Sequence, residues 1–215
     1  MSILKDLYII GAGDAGRELV DLIERINMVQ YEWNIVGFVD SDIEKHGRVY
    51  EDIPVVGDVD LLNFVESEVY AVCSITNGVI KKRVLSQIHN PLVTFASLID
   101  PSVLFCRGSS CGVGCIICAG TILAMDATIG NHVHINFNCS IGHDALISDY
   151  CSVFPGVNVS GRVKIGESTV VGTGSKIIQG KTIASHVMIG AGAVVVRDIM
   201  ESGTYVGVPA KKIIK

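Results

Sequence analysis

At 215 residues, with a formal net charge of −5 and a pI near 5.6, the chain lacks the clustered Lys and Arg that a nucleic-acid surface requires. Its mean hydropathy of +0.47 is high, yet no apolar run approaches the roughly 18 residues of a membrane span. Met1–Asp6 has neither the basic start nor the apolar stretch of a signal peptide, so the chain reads as cytoplasmic, with no nucleic-acid or membrane partner.

The first 97 residues alternate strand and helix signals. Leu7–Ile10 reads as a short buried strand and runs directly into Gly11-Ala12-Gly13-Asp14-Ala15-Gly16. Leu19, Leu22, Ile23 and Ile26 give helical spacing over Arg17–Asn27. A second strand, Ile35–Val39, ends at Asp40, and a polar, turn-rich stretch follows to about His46. Val69–Ile75 is a third strand. Asn77 is placed to cap a helix reaching about Ile88, with Lys81, Lys82 and Arg83 on its wet face. Leu92–Phe95 closes a small parallel α/β sheet. A glycine loop between strand and helix, with Asp40 after the next strand, describes a dinucleotide site equally well. About 95 residues hold only one mononucleotide-binding half, however, so the loop is read as bringing backbone N–H groups to a diphosphate.

From Ile99 to Val195 an aliphatic or small apolar residue recurs at every sixth position, and small or β-branched residues sit four places after most of them. Neither a helix nor an alternating strand yields a strict six, whereas a parallel β-helix does. The predicted division is residues 1–97 and 98–215, the second part closing in a cap over its last 20 residues, where Gly203, Gly207 and Pro209 break the period. The hexad's first and fifth positions point inward, and the third and fourth form an exposed corner. Indexed this way, Cys111, Cys115, Cys139 and Cys151 are inward residues, while Cys106 and Cys118 lie off those positions. The cysteines therefore read as core filler, and no metal site is expected. His132 and His134 fall on the fourth and sixth positions and are expected at the surface or at a subunit contact.

Three hexads make one turn, so residues eighteen apart stack about one strand spacing, roughly 4.8 Å, from each other. His143 occupies a corner, with Asp144 beside it and Gly161 eighteen residues on. Acyl transfer needs such a pair: a base for the nucleophile's proton and an N–H donor for the oxyanion. The Asp144 carboxylate is placed to fix the imidazole tautomer.

The segment His134-Ile135-Asn136-Phe137-Asn138-Cys139-Ser140-Ile141-Gly142-His143-Asp144 resembles the active-site coil of bacterial nucleotide-sugar acetyltransferases, a group that includes the sialic-acid O-acetyltransferases. The Gly11–Gly16 loop and Gly207-Val208-Pro209-Ala210-Lys211 extend the likeness over nearly the whole chain. The resemblance implies a Rossmann-like α/β domain followed by a left-handed β-helix. It also implies homotrimers with active sites between subunits, and acetyl-CoA as donor to a nucleotide-linked amino sugar. It assigns His143 as base, Asp144 as its acidic partner, Gly161 as oxyanion donor and Asn136 as a residue placing the acceptor. Gly11, Gly13, Asp14, Gly16 and Asp40 match the nucleotide-holding region. Ser152, Gly161, Gly172, Gly190 and Lys211 lie along the expected CoA path. Two departures stand out: Asp14-Ala15 replaces a common Gly-His, and Ser152 replaces a histidine found in some members. An O-acetyltransferase of sialic acid and a non-catalytic nucleotide-sugar-binding β-helix are the alternative readings.

Overall fold

A computed structural model of the chain describes residues 4–213. The reading of the N-terminus rests partly on Met1–Ile3, which lie outside the described residues. The chain forms two compact units. One runs to Ile75 and resumes over Ile80–Pro101; the other takes Thr76–Val79 and the chain from Ser102 onward.

The first unit contains β1 (Lys5–Ile10), α1 (Asp14–Val29), β2 (Trp33–Val39), β3 (Val49–Tyr50), β4 (Ile53–Gly57), β5 (Val69–Cys73) and β6 (Val93–Phe95). Their sheet order is β3-β4-β2-β1-β5-β6, parallel throughout except for the β3–β4 hairpin. Leu7, Ile9, Ile10, Phe38, Val39, Ala71 and Val72 fill the sheet's core and are at most 2% exposed. The apolar stripe of α1 is Leu19, Val20, Leu22 and Ile23. The hairpin is not foreshadowed by any Asn-Gly or Asp-Gly turn. Its two turn residues, Glu51 and Asp52, both take positive φ (49° and 62°), the conformation a two-residue hairpin loop demands.

A second helix, α2, covers Gly78–Leu85, shorter than expected. Its buried positions, Gly78, Lys81 and Leu85, are spaced three and four apart, so Lys81 falls on the buried stripe. The expectation of a wet Lys81 is thus corrected: it is 1% exposed, whereas Lys82 and Arg83 are exposed.

The second unit is a parallel β-helix. Two-residue strands stack in register eighteen residues apart: Ile135 on Val153, Ile141 on Val159, Ile147 on Ile165. They form three sheets, one per side. From Ile117 to Val195 every first-position residue is at most 2% exposed. At the open start of the coil Phe105 is 40% exposed, because no earlier hexad stacks on it from within the repeat. Every fourth position from Gly108 to Gly192 has positive φ, whether glycine, Asp126, His132, Asn138, Asp144, Tyr150, Arg162, Ser168 or His186. One left-handed residue per corner turns the chain from each sheet to the next.

The fifth position follows its own rule. Cys115, Thr121, Cys139, Cys151 and Thr169 each donate inward to a carbonyl fifteen residues on, at 3.0–3.2 Å. A small side chain carrying one weak donor suits a position that is buried yet adjacent to backbone oxygen. We expect Ile147→Ala, which empties a fully buried first position, to cost about 3 kcal/mol through lost transfer energy and the cavity left behind. Equilibrium denaturant unfolding measures it.

Candidate active site

His143 stands at the corner between the strands Ser140–Ile141 and Leu146–Ile147. Its Nδ1 lies 2.8 Å from Asp144 Oδ2, and both side chains are about half exposed, at 48% and 51%. A carboxylate can only accept, so Nδ1 carries the proton and Nε2 keeps the lone pair. That nitrogen lies over Gly161: a Cβ built on Gly161 would sit 2.4 Å from Nε2 and under 3 Å from both neighbouring ring carbons. The base atom and the expected oxyanion donor are therefore next to each other, in adjacent coils. One coil above Asp144, Arg162 brings its Nε to 3.9 Å from the same Oδ2.

The Gly161 N–H is available for a structural reason. The coil ladder uses the N–H groups of positions two, four and six: Gly142 to Val159 O (2.7 Å), Asp144 to Met125 O (3.0 Å), Leu146 to Val163 O (2.9 Å). Third-position N–H groups are left out of it. At other corners side chains take them, as Asn131 N–H to Asp149 Oδ1 (2.7 Å), Val113 N–H to Asn131 Oδ1 (3.1 Å) and Phe137 N–H to Asn136 Oδ1 (2.7 Å). At Gly161 no acceptor is in place among the described residues. The position is buried, with Gly142 and the His143 ring lying against it from the coil below.

The remaining predicted residues divide. Asn136 is on the preceding corner, so a full face of the prism separates it from His143 within one chain. Gly172 and Gly190 stack on that same preceding corner. A Cβ on Gly172 would strike Ala191 N at 2.7 Å, and one on Gly190 would strike the Val206 side chain, so close coil packing already requires both. Next to them Gly174 and Gly192 face open space, leaving a corner without side chains at those positions. Lys211 is exposed, on a short strand paired with Val206.

Ser152 is corrected. It is 1% exposed and its Oγ donates to Thr76 O at 2.7 Å, so the hydroxyl is spent on the Thr76–Val79 segment rather than open to a ligand. The same segment also lies against Tyr150, whose ring stacks on His132. A Cβ on Gly78 would meet Tyr150 O at 2.4 Å. His132 and His134 are buried, 7% and 3% exposed, rather than at the surface. The His132 ring stacks on Tyr150 with centroids 5.3 Å apart, and His134 Nε2 lies 3.8 Å from Cys118 Sγ. Among the described residues no group of three or more His, Cys, Asp or Glu is placed to hold a metal ion.

In the first unit the glycine loop lies where the strand order reverses, between β1 and β5, the usual position of a ligand crevice in a parallel sheet. A Cβ on Gly16 would sit 2.0 Å from Gly11 O, and one on Gly11 2.6 Å from Ser74 Oγ, so both glycines serve close packing; Gly13 faces open space. Asp40 is tied into the loop by three hydrogen bonds. Oδ2 accepts from Ala12 N–H (2.7 Å) and Lys45 Nζ (2.9 Å), and Oδ1 accepts from Asp42 N–H (2.9 Å). Burial pushes its pKa up, but those N–H groups and the Lys45 ammonium outweigh burial and hold it below the usual carboxylate range. Asp40 shapes the loop with both oxygens engaged. Asp14 is exposed in the first turn of α1, placing a negative charge where a phosphate would otherwise be favoured.

Residues 6–88 match the family described as the PglD N-terminal domain. GDP-perosamine N-acetyltransferase of Escherichia coli O157:H7 is 27% identical over 177 residues, 81% of this chain and 79% of that protein. Perosamine N-acetyltransferase from Caulobacter crescentus, solved as a mutant with CoA and GDP-perosamine, superposes with TM-score 0.89 at 25% identity, covering 99% of each chain. The acetyltransferase domain of PglB from Neisseria gonorrhoeae gives TM-score 0.87 at 26% identity, over 97% of this chain and all of that one. The chain spans only 40% of the length of the serine acetyltransferase from Synechococcus elongatus that it also matches. Over nearly its whole length the chain is similar to these nucleotide-sugar N-acetyltransferases, and residues 6–88 match the PglD N-terminal domain.

Proposed function

We propose that this protein is an acetyl-CoA-dependent N-acetyltransferase acting on a nucleotide-linked amino sugar in bacterial glycan synthesis, in the cytoplasm. The observation that carries the reading is the placement of His143 Nε2 directly over Gly161, with Nδ1 held by Asp144. His143 takes the proton as the acceptor amine attacks the thioester. Gly161 N–H donates to the oxygen that gains negative charge, and thiolate is a good enough leaving group to need no strong acid.

The donor is expected along the corner of Gly172, Gly174, Gly190 and Gly192, where missing side chains leave room for a narrow chain, with Lys211 towards its far end. Homologous structures holding CoA or acetyl-CoA support acetyl-CoA as the donor. The nucleotide is assigned to the crevice beside Gly11, Gly13 and Gly16 in a Rossmann-like domain, with Asp14 at its rim and Asp40 holding the loop. The repeat fits a left-handed β-helix.

Asn136 and His143 lie on different corners of one chain, so they can serve one acceptor only if neighbouring copies meet there. A homotrimer with sites between subunits satisfies that requirement, and light scattering is expected to return three times the chain mass; a monomer would undo the shared site.

The decisive test is CoA release, followed by a thiol reagent, with acetyl-CoA and a panel of GDP-, UDP- and dTDP-linked 4-amino sugars against free sialic acid. Turnover is expected with an amino sugar. Turnover with sialic acid alone would move the assignment to O-acetylation. Binding of a nucleotide sugar without release of CoA would favour a non-catalytic sensor.

A further inference from the structure

Cys111 is the one residue that the rules of the repeat leave unexplained. First positions from Ile99 to Val195 are otherwise Ile, Leu, Val or Phe. Cysteine is accounted for at the fifth position, where Cys115, Cys139 and Cys151 each bond a carbonyl of the next coil. Cys139 and Cys151 face an isoleucine, Ile135 and Ile147, across their corner. Cys111 alone faces another cysteine. The corner between them is Gly112-Val113-Gly114, with Gly114 at φ 68°, so the two inward-facing thiols flank one tight turn. Cys115 is fully buried, while Cys111 is half-buried in the first, least covered coil, where reagents can reach it.

We infer that Cys111 and Cys115 form an oxidisable dithiol, closing reversibly to a disulfide inside the first coil when the protein meets a peroxide. The Cys111 thiolate attacks the O–O bond and becomes a sulfenic acid, releasing hydroxide. The Cys115 sulfur then displaces the sulfenic oxygen, which leaves as water with the Cys115 proton. The pair is oxidised by two electrons and the peroxide is reduced by two. The contact with Cys115 pulls the Cys111 thiol down to about 7, so the nucleophilic form is present at neutral pH. Buried Cys73 and Cys139 are pushed up by burial and are not expected to compete.

The test uses the whole protein in a Cys106→Ser background, which removes the exposed thiol as a source of intermolecular bonds. After treatment with hydrogen peroxide and quenching, unfolded protein is alkylated and weighed. The expected result is two fewer alkylatable thiols and a mass lower by two hydrogens, both restored by dithiothreitol, with a rate that rises with pH and levels off above about 7. Cys111→Val, which restores the aliphatic residue of the other hexads, should abolish the loss. Cys115→Ser should stop at a sulfenic acid captured by dimedone. A full complement of thiols after peroxide, or a loss that survives in Cys111→Val, would overturn the inference.

Discussion

His143→Ala should lower kcat by at least 10²-fold while the β-helix remains folded. General-base catalysis by a positioned side chain contributes roughly 10²–10⁴ in rate, and no other imidazole stands at this corner. Met125 lies one coil below and Gly161 one coil above, neither of them a base, and the Arg162 guanidinium stays charged. Stability should hardly change, because the ring is about half exposed and its hydrogen bond is to the neighbouring residue, Asp144. The measurement is steady-state CoA release with saturating acetyl-CoA and the best acceptor, alongside a thermal melt. Near-normal turnover would remove His143 from the chemistry. A collapse of the melt would instead mean that the side chain holds the coil together.

The outline of this site was legible in the sequence because the repeat is rigid in number. Once the period is six with three sides, residue 161 must lie over residue 143, and the structure stacks Asn158–Val159 on Ser140–Ile141 as that arithmetic requires. Inward cysteines were legible for the same reason. What escaped was everything that depends on a contact without a period. Ser152 meets Thr76 across 76 residues of sequence, and the outward face carrying His134 and Ser152 is buried. The three donors to Asp40, from Ala12, Asp42 and Lys45, were likewise not announced by any spacing. The β3–β4 hairpin escaped because Glu51 and Asp52 adopt a backbone shape that their identities do not announce. Hydrophobic periodicity reports what faces a continuous core; it does not report which polar group finds another far along the chain.

Gly161→Val should cost about as much activity as loss of the base, for a reason separate from proton transfer. The distance of 2.4 Å from the built Cβ to Nε2 is too short for any real carbon, so either the ring or the coil must give. The coil is fixed by Arg162 N–H to His143 O (2.8 Å) and Gly180 N–H to Gly161 O (2.9 Å), so the exposed ring is the part that moves. Swinging the imidazole outward takes Nε2 from the donor it must work beside and strains the Asp144 bond. The branched side chain also screens the Gly161 N–H from an incoming oxygen. Losing one oxyanion donor alone typically costs roughly 10²–10³ in kcat. Gly161→Ala should fall between wild type and valine, since a single carbon moves the ring less and leaves part of the N–H open. If the N–H is a donor, kcat falls in that order while the KM for the nucleotide sugar changes little, because the nucleotide is assigned to the crevice beside Gly11, Gly13 and Gly16. Equal kcat values for glycine, alanine and valine would show that the corner above His143 contributes neither room nor charge stabilisation, and the oxyanion donor would have to be sought elsewhere.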